Sequence, residues 1–191
     1  MKKATTRTTV IVVLLVLAVV GYYAYLSNRS RESREEVSMT VVQATLSRDL
    51  SKDYPPTPKE VIKYYNEILR CLYNEKSTDE EIDALGIKAR ELYDADLLAI
   101  NEEEAYKLKL KAEVHSFRDN QRRITSFNLA SSTSVDFFEQ DGYEFAKIMC
   151  GYNFMQNGKS QPSGQMYLLR KDADKRWKIY GWDDVSNLKA D

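Results

Sequence analysis

Histidine and cysteine are scarce in this sequence, which contains one histidine, His115, and two cysteines, Cys71 and Cys150. A zinc site built from protein ligands needs three or four His, Cys or acidic side chains held close together. The chain also lacks a Gly-rich phosphate loop, a Gly-x-Ser-x-Gly elbow and a His-Glu-x-x-His pair. We therefore expect no metal, no cofactor and no catalytic set, and the sequence favours a non-enzymatic protein.

Glycine, proline and excess charge are limited as well. Seven glycines and four prolines in 191 residues argue against long disordered linkers. The formal net charge of -1 lacks the basic excess that phosphate binding needs, so we expect no nucleic-acid partner. Tyrosine, in contrast, is abundant at 13 residues, and tyrosines suit pocket walls and half-exposed sheet faces.

One long uncharged run is present, Thr9–Leu26. As a helix it would measure roughly 27 Å, just enough to cross the hydrocarbon core of a membrane. Basic residues precede the run, and tyrosines cluster at its far end, where an aromatic belt would meet the membrane interface. We expect a cytoplasmic tail at 1–8, a transmembrane anchor at 9–26, a charged stalk at 27–36 and one folded domain at 37–191.

Two features of this segment allow alternatives. A cleaved signal peptide is the alternative to an anchor, although Val19-x-Gly21 followed by bulky tyrosines is a poor cleavage site. Lys and Arg residues are equally numerous on both sides of the run, so the orientation depends on the short N-terminal tail and the signal-like order of charges. These favour a single-pass cell-membrane protein whose C-terminal domain lies outside the cytoplasm.

Four helices are predicted after the stalk, because apolar residues recur there at three- and four-residue steps. Thr57 is expected to cap the second helix, with Pro58 at its first position. Ser77 and Asn101 are expected to cap the third and fourth, and the fourth continues to about Asp119. The apolar stripes are Met39, Val42, Leu46 and Leu50, then Val61, Tyr65, Ile68 and Leu72, then Ile82, Leu85, Ala89 and Leu92.

The pattern changes to alternating apolar and polar residues after Arg122. Strands are predicted over 123–130, 135–140, 143–155, 165–170 and 176–182. Asp141-Gly142 predicts a two-residue hairpin turn, and a looser turn is expected from Asn157-Gly158 to Gly164. Helices followed by an antiparallel meander indicate the α+β class, with the helices packed on one face of a curved sheet.

The order of helices and then strands, closing on Trp177-Lys178-Ile179-Tyr180-Gly181-Trp182, resembles the nuclear transport factor two-like, or cystatin-like, cone fold. Most of 37–183 is also similar to an uncharacterised family of membrane-anchored proteins from Gram-positive gut bacteria. The blocks that carry this likeness include Tyr54-Pro55, Thr57-Pro58, Cys71-Leu72-Tyr73-Asn74 and Leu168-Leu169-Arg170-Lys171-Asp172. None of them is a catalytic motif, so the resemblance implies fold and topology only.

The resemblance to cone folds implies a pocket between the long helix and the concave sheet. Some relatives with this fold are isomerases or dehydratases, but the fold alone does not license that activity. The same aromatic residues that could line a pocket could instead pack a core and a half-exposed sheet face. The candidate lining residues are Tyr64, Tyr65, Tyr93, Tyr152, Tyr180 and Trp182.

Cys71 and Cys150 could meet in such a fold, and outside the cytoplasm they could form a disulfide. The alternative is two buried free thiols that behave as small apolar residues. His115 is followed four residues later by Asp119, and such a pair can perform acid–base chemistry. The surrounding Lys, Glu and Arg residues favour a solvated surface histidine instead.

These patterns favour a membrane-anchored interaction or binding module. The sheet face without helices would dock a cell-envelope protein or a second copy of the chain. A small-molecule or peptide-binding cone, or an isomerase-like enzyme that uses the cone, is the alternative. A closed pocket with a buried acid would favour that alternative, whereas a cone filled by Tyr65, Ile68, Leu72 and Trp177 would favour the interaction module.

Overall fold

The computed structural model describes Tyr22 and residues 39–185. Within these residues no helix is long and apolar enough to span a membrane. The expected tail, anchor and stalk at 1–8, 9–26 and 27–36 lie outside the described residues, apart from Tyr22. The described residues from Thr40 onward belong to one compact unit, which contains the elements described below.

Five helices occupy the first half of this unit. The longest two have seventeen residues each, and the fourth, with six, was not predicted from the sequence. The helices are α1 (Val41–Ser47), α2 (Pro58–Asn74), α3 (Asp79–Arg90), α4 (Ala95–Ile100) and α5 (Glu103–Asp119).

The helix starts are set by short polar signals. The cap of α2 is confirmed, since the Thr57 side chain accepts a hydrogen bond from the Glu60 backbone N–H at 3.2 Å and Pro58 occupies the first turn. The predicted cap of α3 is wrong by one residue, because Thr78 forms the capping box with Glu81. Ser77 instead donates to the Cys71 carbonyl at 3.1 Å.

Asn101 does not cap the start of α5. It ends α4, where its side-chain amide donates to the Leu97 carbonyl at 3.0 Å. Glu102 precedes α5 and makes no side-chain capping bond. The short helix α4 (Ala95–Ile100) therefore occupies residues for which no element was predicted.

Five antiparallel strands form one sheet after the helices. They are β1 (Arg123–Leu129), β2 (Asp136–Gln140), β3 (Tyr143–Gln156), β4 (Lys159–Lys171) and β5 (Trp177–Asp184), with a 3₁₀ turn at Ser132–Ser134 between β1 and β2. The order is β1-β3-β4-β5, and β2 also pairs with β3. This confirms the α+β class with a curved antiparallel sheet.

The β2–β3 hairpin turn is confirmed: Asp141 and Gly142 both have positive φ, as a two-residue turn of this type requires. The expected loose turn after β3 is wrong. Asn157 and Gly158, also at positive φ, complete a second tight turn, and β4 begins directly at Lys159. Pro162 consequently lies inside β4, opposite Asn153 of β3.

The core lies between the helices and one sheet face. α2 buries Val61, Tyr65, Ile68 and Leu72, which confirms the predicted stripe of residues at three- and four-residue steps. From β3, alternate residues from Ala146 to Tyr152 point to the same side and are buried. This arrangement places α2 across the strands.

Helix α5 packs close to α3. Gly86 of α3 permits this approach, because a Cβ atom at that position would lie 2.7 Å from Leu110 Cδ2 of α5. The contact holds α5 beside α2, so that the two long helices and the sheet enclose space between them.

Candidate functional site

A cavity of about 380 Å³ lies between α2, α5 and the sheet. Its volume falls in the range typical of small-molecule sites. Glu113 and Trp182 are its exposed wall residues, so they mark its opening. Half of its eighteen wall residues are aromatic: Tyr65, Tyr73, Tyr93, Tyr106, Phe117, Tyr152, Phe154, Tyr167 and Trp182.

Four of the six aromatic residues expected at a pocket lie in this wall, namely Tyr65, Tyr93, Tyr152 and Trp182. Tyr64 lies elsewhere: its hydroxyl donates to the Thr45 carbonyl of α1 at 2.7 Å. Neighbouring residues of a helix point about 100° apart, so Tyr64 and Tyr65 serve different faces of α2.

Tyr180 also lies away from the cavity, on the opposite face of the sheet. Its ring packs edge-on against Phe145 at 5.8 Å and beside the Arg170 guanidinium at 4.8 Å. Strict alternation would place Tyr180 and Trp182 on the same face. A bulge between β4 and β5 leaves Tyr180 unpaired, and the extra residue returns Trp182 to the cavity side.

Several wall residues were not expected from the sequence. Tyr73 and Leu69 extend the helical stripe that contains Tyr65, and Tyr167 alternates with buried Leu169 on β4. Helical and strand periodicity could therefore have predicted these three residues. Arg122 lies in the turn between α5 and β1, where no periodic pattern applies. The remaining wall residues are Leu72, Ala89, Asn101, Tyr106, Leu110, Glu113, Phe117, Ile124, Phe154 and Gln165.

A chain of hydrogen bonds crosses the sheet side of the cavity. The Tyr152 hydroxyl donates to Asn66 Oδ1 at 2.6 Å and lies 2.7 Å from the Tyr167 hydroxyl, which lies 2.6 Å from the Gln165 side-chain amide. Asn66 Nδ2 donates to the Ile62 carbonyl at 2.9 Å, and this fixes Asn66 Oδ1 as the acceptor.

The number of available protons sets the direction of donation along these hydrogen bonds. Two hydroxyl protons cannot fill three contacts, so the third proton must come from an amide N–H. Amide oxygen and nitrogen positions are exchanged by a simple rotation. The structure places Gln165 Oε1 2.6 Å from the Tyr167 hydroxyl, which donates to it. If the amide is rotated so that its amino group faces Tyr167 instead, every contact holds one proton, and donation runs from Gln165 through Tyr167 and Tyr152 to Asn66.

A second group of hydroxyls lies near the opening. The Tyr93 hydroxyl lies 3.2 Å from the Tyr65 hydroxyl and 3.4 Å from the Tyr106 hydroxyl. Three hydroxyl protons serve these two contacts, so one proton remains to donate to a further acceptor. The Trp182 ring covers this group, with its centroid 6.3 Å from Tyr65 and 6.1 Å from Tyr93.

Burial keeps these phenols neutral. It raises the pKa of Tyr65, Tyr93 and Tyr106 above the ordinary value for tyrosine. The same cause raises the pKa of Tyr152 and Tyr167. At neutral pH the wall therefore offers hydrogen-bond donors and acceptors rather than phenolate bases.

Two charged side chains complete the wall. Glu113 accepts a hydrogen bond from the Tyr73 hydroxyl at 2.5 Å, and burial, followed by the Glu113 charge, raises the pKa of Tyr73. The Arg122 guanidinium lies over the rings of Phe117 and Phe154, 4.9 Å and 5.5 Å from their centroids. The site thus combines aromatic surfaces, neutral hydroxyls, one carboxylate and one guanidinium.

No group of three His, Cys, Asp or Glu side chains suited to a metal occurs in the described part of the chain. His115 is exposed and bonds the Asp79 carboxylate at 2.9 Å, whereas Asp119 was the partner suggested by its spacing. His115 lies outside the cavity wall. The arrangement suits the binding of a small molecule better than acid–base chemistry.

Both cysteines are buried free thiols in the structure. Cys71 Sγ lies 3.3 Å from Thr45 Oγ1 on α1. Cys150 Sγ instead lies 3.5 Å from Asn66 Nδ2. The two thiols have different partners because Cys71 faces α1, whereas Cys150 faces the side of α2 that covers the sheet.

A second depression of about 560 Å³ borders α4 and the β2–β3 turn. The guanidinium of Arg170, one of its lining residues, already has protein partners. It binds both carboxylate oxygens of Asp94 and one of Asp96. It also lies beside the rings of Tyr143 and Tyr180. Asp94 also caps α4 by accepting from the Asp96 N–H at 2.9 Å. This cluster fastens α4 to the sheet.

Comparison with known proteins places the chain in a family. No curated protein matches it. A family model described as a domain of unknown function (DUF6715) matches residues 1–182. The match includes the apolar segment 9–26 and every helix and strand up to Trp182, almost the end of β5. The chain therefore belongs to the DUF6715 family.

Proposed function

We propose that this chain is a membrane-anchored protein whose α+β domain lies outside the cytoplasm and binds a small molecule in the tyrosine-lined cavity, without catalysing a reaction. The observation that carries this proposal is the open aromatic cavity. Its wall contains hydrogen-bonding groups whose capacity is not fully used by other protein groups. Such a combination of apolar walls and a few convergent polar groups is typical of ligand sites.

The alternative of a filled cone is disfavoured by the same geometry. Tyr65 and Leu72 form part of the cavity wall instead of filling the space. Trp177 lies apart from it, 5.7 Å from the Phe137 ring. The 380 Å³ that remains exceeds what one water molecule needs by more than about tenfold.

Binding without catalysis is supported by the chemistry of the wall. Its phenols are neutral, and its one carboxylate, Glu113, is exposed and hydrogen-bonded to Tyr73. A general base works best when its site excludes water. Glu113 is exposed instead.

Anchoring is supported by the uncharged run at 9–26 and by a family match that begins at residue 1. A reporter that is active only outside the cytoplasm, fused after Asp191, tests the orientation. We expect activity, together with digestion of the domain by protease added to intact cells. Protection from that protease would contradict the proposed orientation.

A ligand-observed NMR screen of water-soluble fragments against the full-length protein tests the binding proposal. Leu69→Trp places a larger side chain in the wall, whereas Leu108→Trp makes the same change at an exposed position of α5. We expect hits for the wild type and for Leu108→Trp, and weaker binding for Leu69→Trp. Equal binding by both variants would place the hits outside the cavity.

The uncovered sheet face supports a second candidate function, the docking of an envelope protein or a second copy of the chain. Tyr143 and Met149 are exposed there, and the rings of Phe138 and Phe145 stack at 5.4 Å. Light scattering of the full-length protein in detergent tests the dimer. Met149→Glu should halve the protein mass if the face joins two copies, and an unchanged mass argues against that dimer.

A further inference from the structure

Arg122 is the cation of the cavity wall, and its guanidinium forms no hydrogen bond with any residue that the structure describes. Its Nε is buried without a partner. Within 39–185 it joins no ion pair. Leaving a buried charged donor unsatisfied is costly, so such a group in a native protein calls for an explanation.

Among the residues that the structure describes, two other buried atoms are also unpartnered, Arg118 Nε and Asp83 Oδ1, but their side chains are otherwise engaged. Arg118 donates to three backbone carbonyls, those of Leu72, Glu75 and Ser77. Asp83 holds Lys111 at 3.0 Å through its second oxygen. Neither residue contributes to the cavity wall, whereas Arg122 does.

The surroundings of Arg122 hold it in place without using the N–H groups of its guanidinium. Its backbone N–H donates to the Phe117 carbonyl at 3.0 Å, which fixes the turn after α5. The rings of Phe117 and Phe154 lie against the guanidinium. Contact with ring faces is electrostatically favourable and leaves the edge of the guanidinium plane, with its N–H groups, available.

The nearest acidic wall residue does not neutralise Arg122. Glu113 receives the Tyr73 hydroxyl and forms no ion pair with Arg122. Arg90, on the far side near Tyr106, donates to the Asn101 carbonyl at 2.5 Å. The cavity wall therefore carries one cation with open donors, beside a space bounded by aromatic rings.

We propose that the cavity binds a small organic carboxylate, whose two oxygens receive hydrogen bonds from Arg122 and whose apolar body lies among the tyrosine rings. The inference rests on the proposed binding function and specifies the ligand class. A carboxylate matches the planar fork of a guanidinium, which can donate two parallel hydrogen bonds to it. The unused hydroxyl proton of the Tyr65, Tyr93 and Tyr106 group suits a second acceptor on the ligand.

The test compares phenylpropanoate with phenylpropanamide, which share a ring and chain length but differ in charge. Their dissociation constants are measured by NMR titration on the full-length protein in detergent. We expect the acid to bind the wild type about tenfold or more tightly than the amide, because hydrogen bonds to charged groups are worth more than neutral ones.

Arg122→Gln should abolish this preference, so that acid and amide bind about equally, and detectable binding of the amide shows that the cavity is intact. Arg122→Lys keeps the charge but loses the fork, and should retain only part of the preference. Arg123→Gln, at an exposed neighbouring position, should behave as the wild type. If Arg122→Gln does not fold, the acid-to-amide ratio of the wild type still decides.

Equal affinities in the wild type, or a preference that survives in Arg122→Gln, would overturn the carboxylate inference while the cavity remains a binding site. If neither probe binds, the carboxylate inference is also overturned. The fragment screen with Leu69→Trp then decides independently whether the cavity binds any small molecule.

Discussion

The hydroxyl oxygens of Tyr152 and Tyr167 lie 2.7 Å apart on adjacent strands, and Tyr152 also donates to Asn66 of α2. This contact links the sheet to the long helix across one side of the cavity. Because each phenol has a single proton, the contact also orders the donors and acceptors on that side. The wall is thereby organised before any ligand binds.

Removal of the Tyr152 hydroxyl should destabilise the domain. Tyr152→Phe leaves Asn66 Oδ1 and the Tyr167 hydroxyl short of partners in a buried site, so we expect the free energy of unfolding to fall by about 1–3 kcal/mol. Tyr180→Phe is the matched control, because no hydrogen bond of the described residues involves the Tyr180 hydroxyl; its effect should stay within about 0.5 kcal/mol.

Chemical denaturation of the two variants measures this difference. Equal losses for Tyr152→Phe and Tyr180→Phe would contradict the assigned hydrogen-bond chain.

The buried tyrosines should make the protein sensitive to alkali. Burial raises the pKa of Tyr64 to about 12, from 10.0. A raised folded pKa stabilises the fold fully below the unfolded pKa, and this contribution is lost as the pH rises from 10.0 towards the folded value. The other tyrosines with raised pKa values are Tyr54, Tyr65, Tyr73, Tyr93, Tyr106, Tyr152 and Tyr167.

Tyrosinate absorbance and circular dichroism, followed together during an alkaline titration, measure this effect. We expect late ionisation of these tyrosines to coincide with unfolding above pH 10. Complete ionisation of all tyrosines at pH 10 with the fold intact would show that they are not buried as described.

The Asp94–Arg170 pair should contribute strongly to stability. Asp94 has only 3% of its side chain exposed, and both of its oxygens bind Arg170. Asp94→Asn leaves a largely buried guanidinium poorly paired, at a cost of about 3–5 kcal/mol. Asp96→Asn removes a partner that is 61% exposed and should cost less than about 1 kcal/mol. Thermal unfolding of both variants measures the contrast, and a smaller loss for Asp94→Asn than for Asp96→Asn would refute it.

The two cysteines should be slow to react. Burial raises the pKa of Cys71 and of Cys150, so few thiolates form at neutral pH. Protein isolated from its native compartment without reductant should take up no alkylating reagent when folded and two labels when denatured, as counted by mass spectrometry. An absence of labels in the denatured protein would indicate the disulfide instead.

Much of the fold was predictable because its signals are local. Thr57-Pro58 sets the start of α2, and Asp141-Gly142 supplies the positive φ values of the β2–β3 turn. Errors arose where two signals competed. Ser77 and Thr78 are both good caps, and only tertiary packing directs Ser77 to the Cys71 carbonyl. Pro162 suggested a loop, yet the pairing of β3 with β4 continues through it.

The candidate site was less predictable. Tyr65 was recognised from a helical stripe that extends naturally to Leu69 and Tyr73. The exclusion of Tyr180 depends on a bulge that no alternation pattern reveals. Arg122 lies in a turn and reaches the wall only because the chain reverses after α5. Its significance comes from a missing partner, which only a three-dimensional structure exposes.

The central claim, that the cavity receives a ligand, is tested most directly by fluorine NMR of the full-length protein labelled with fluorotryptophan. The chain has two tryptophans: Trp182 lies in the cavity wall, and Trp177 lies outside it. On titration with a hit from the fragment screen, we predict that the Trp182 signal shifts saturably while the Trp177 signal stays in place. A stationary Trp182 signal, or equal shifts of both signals, would contradict the account.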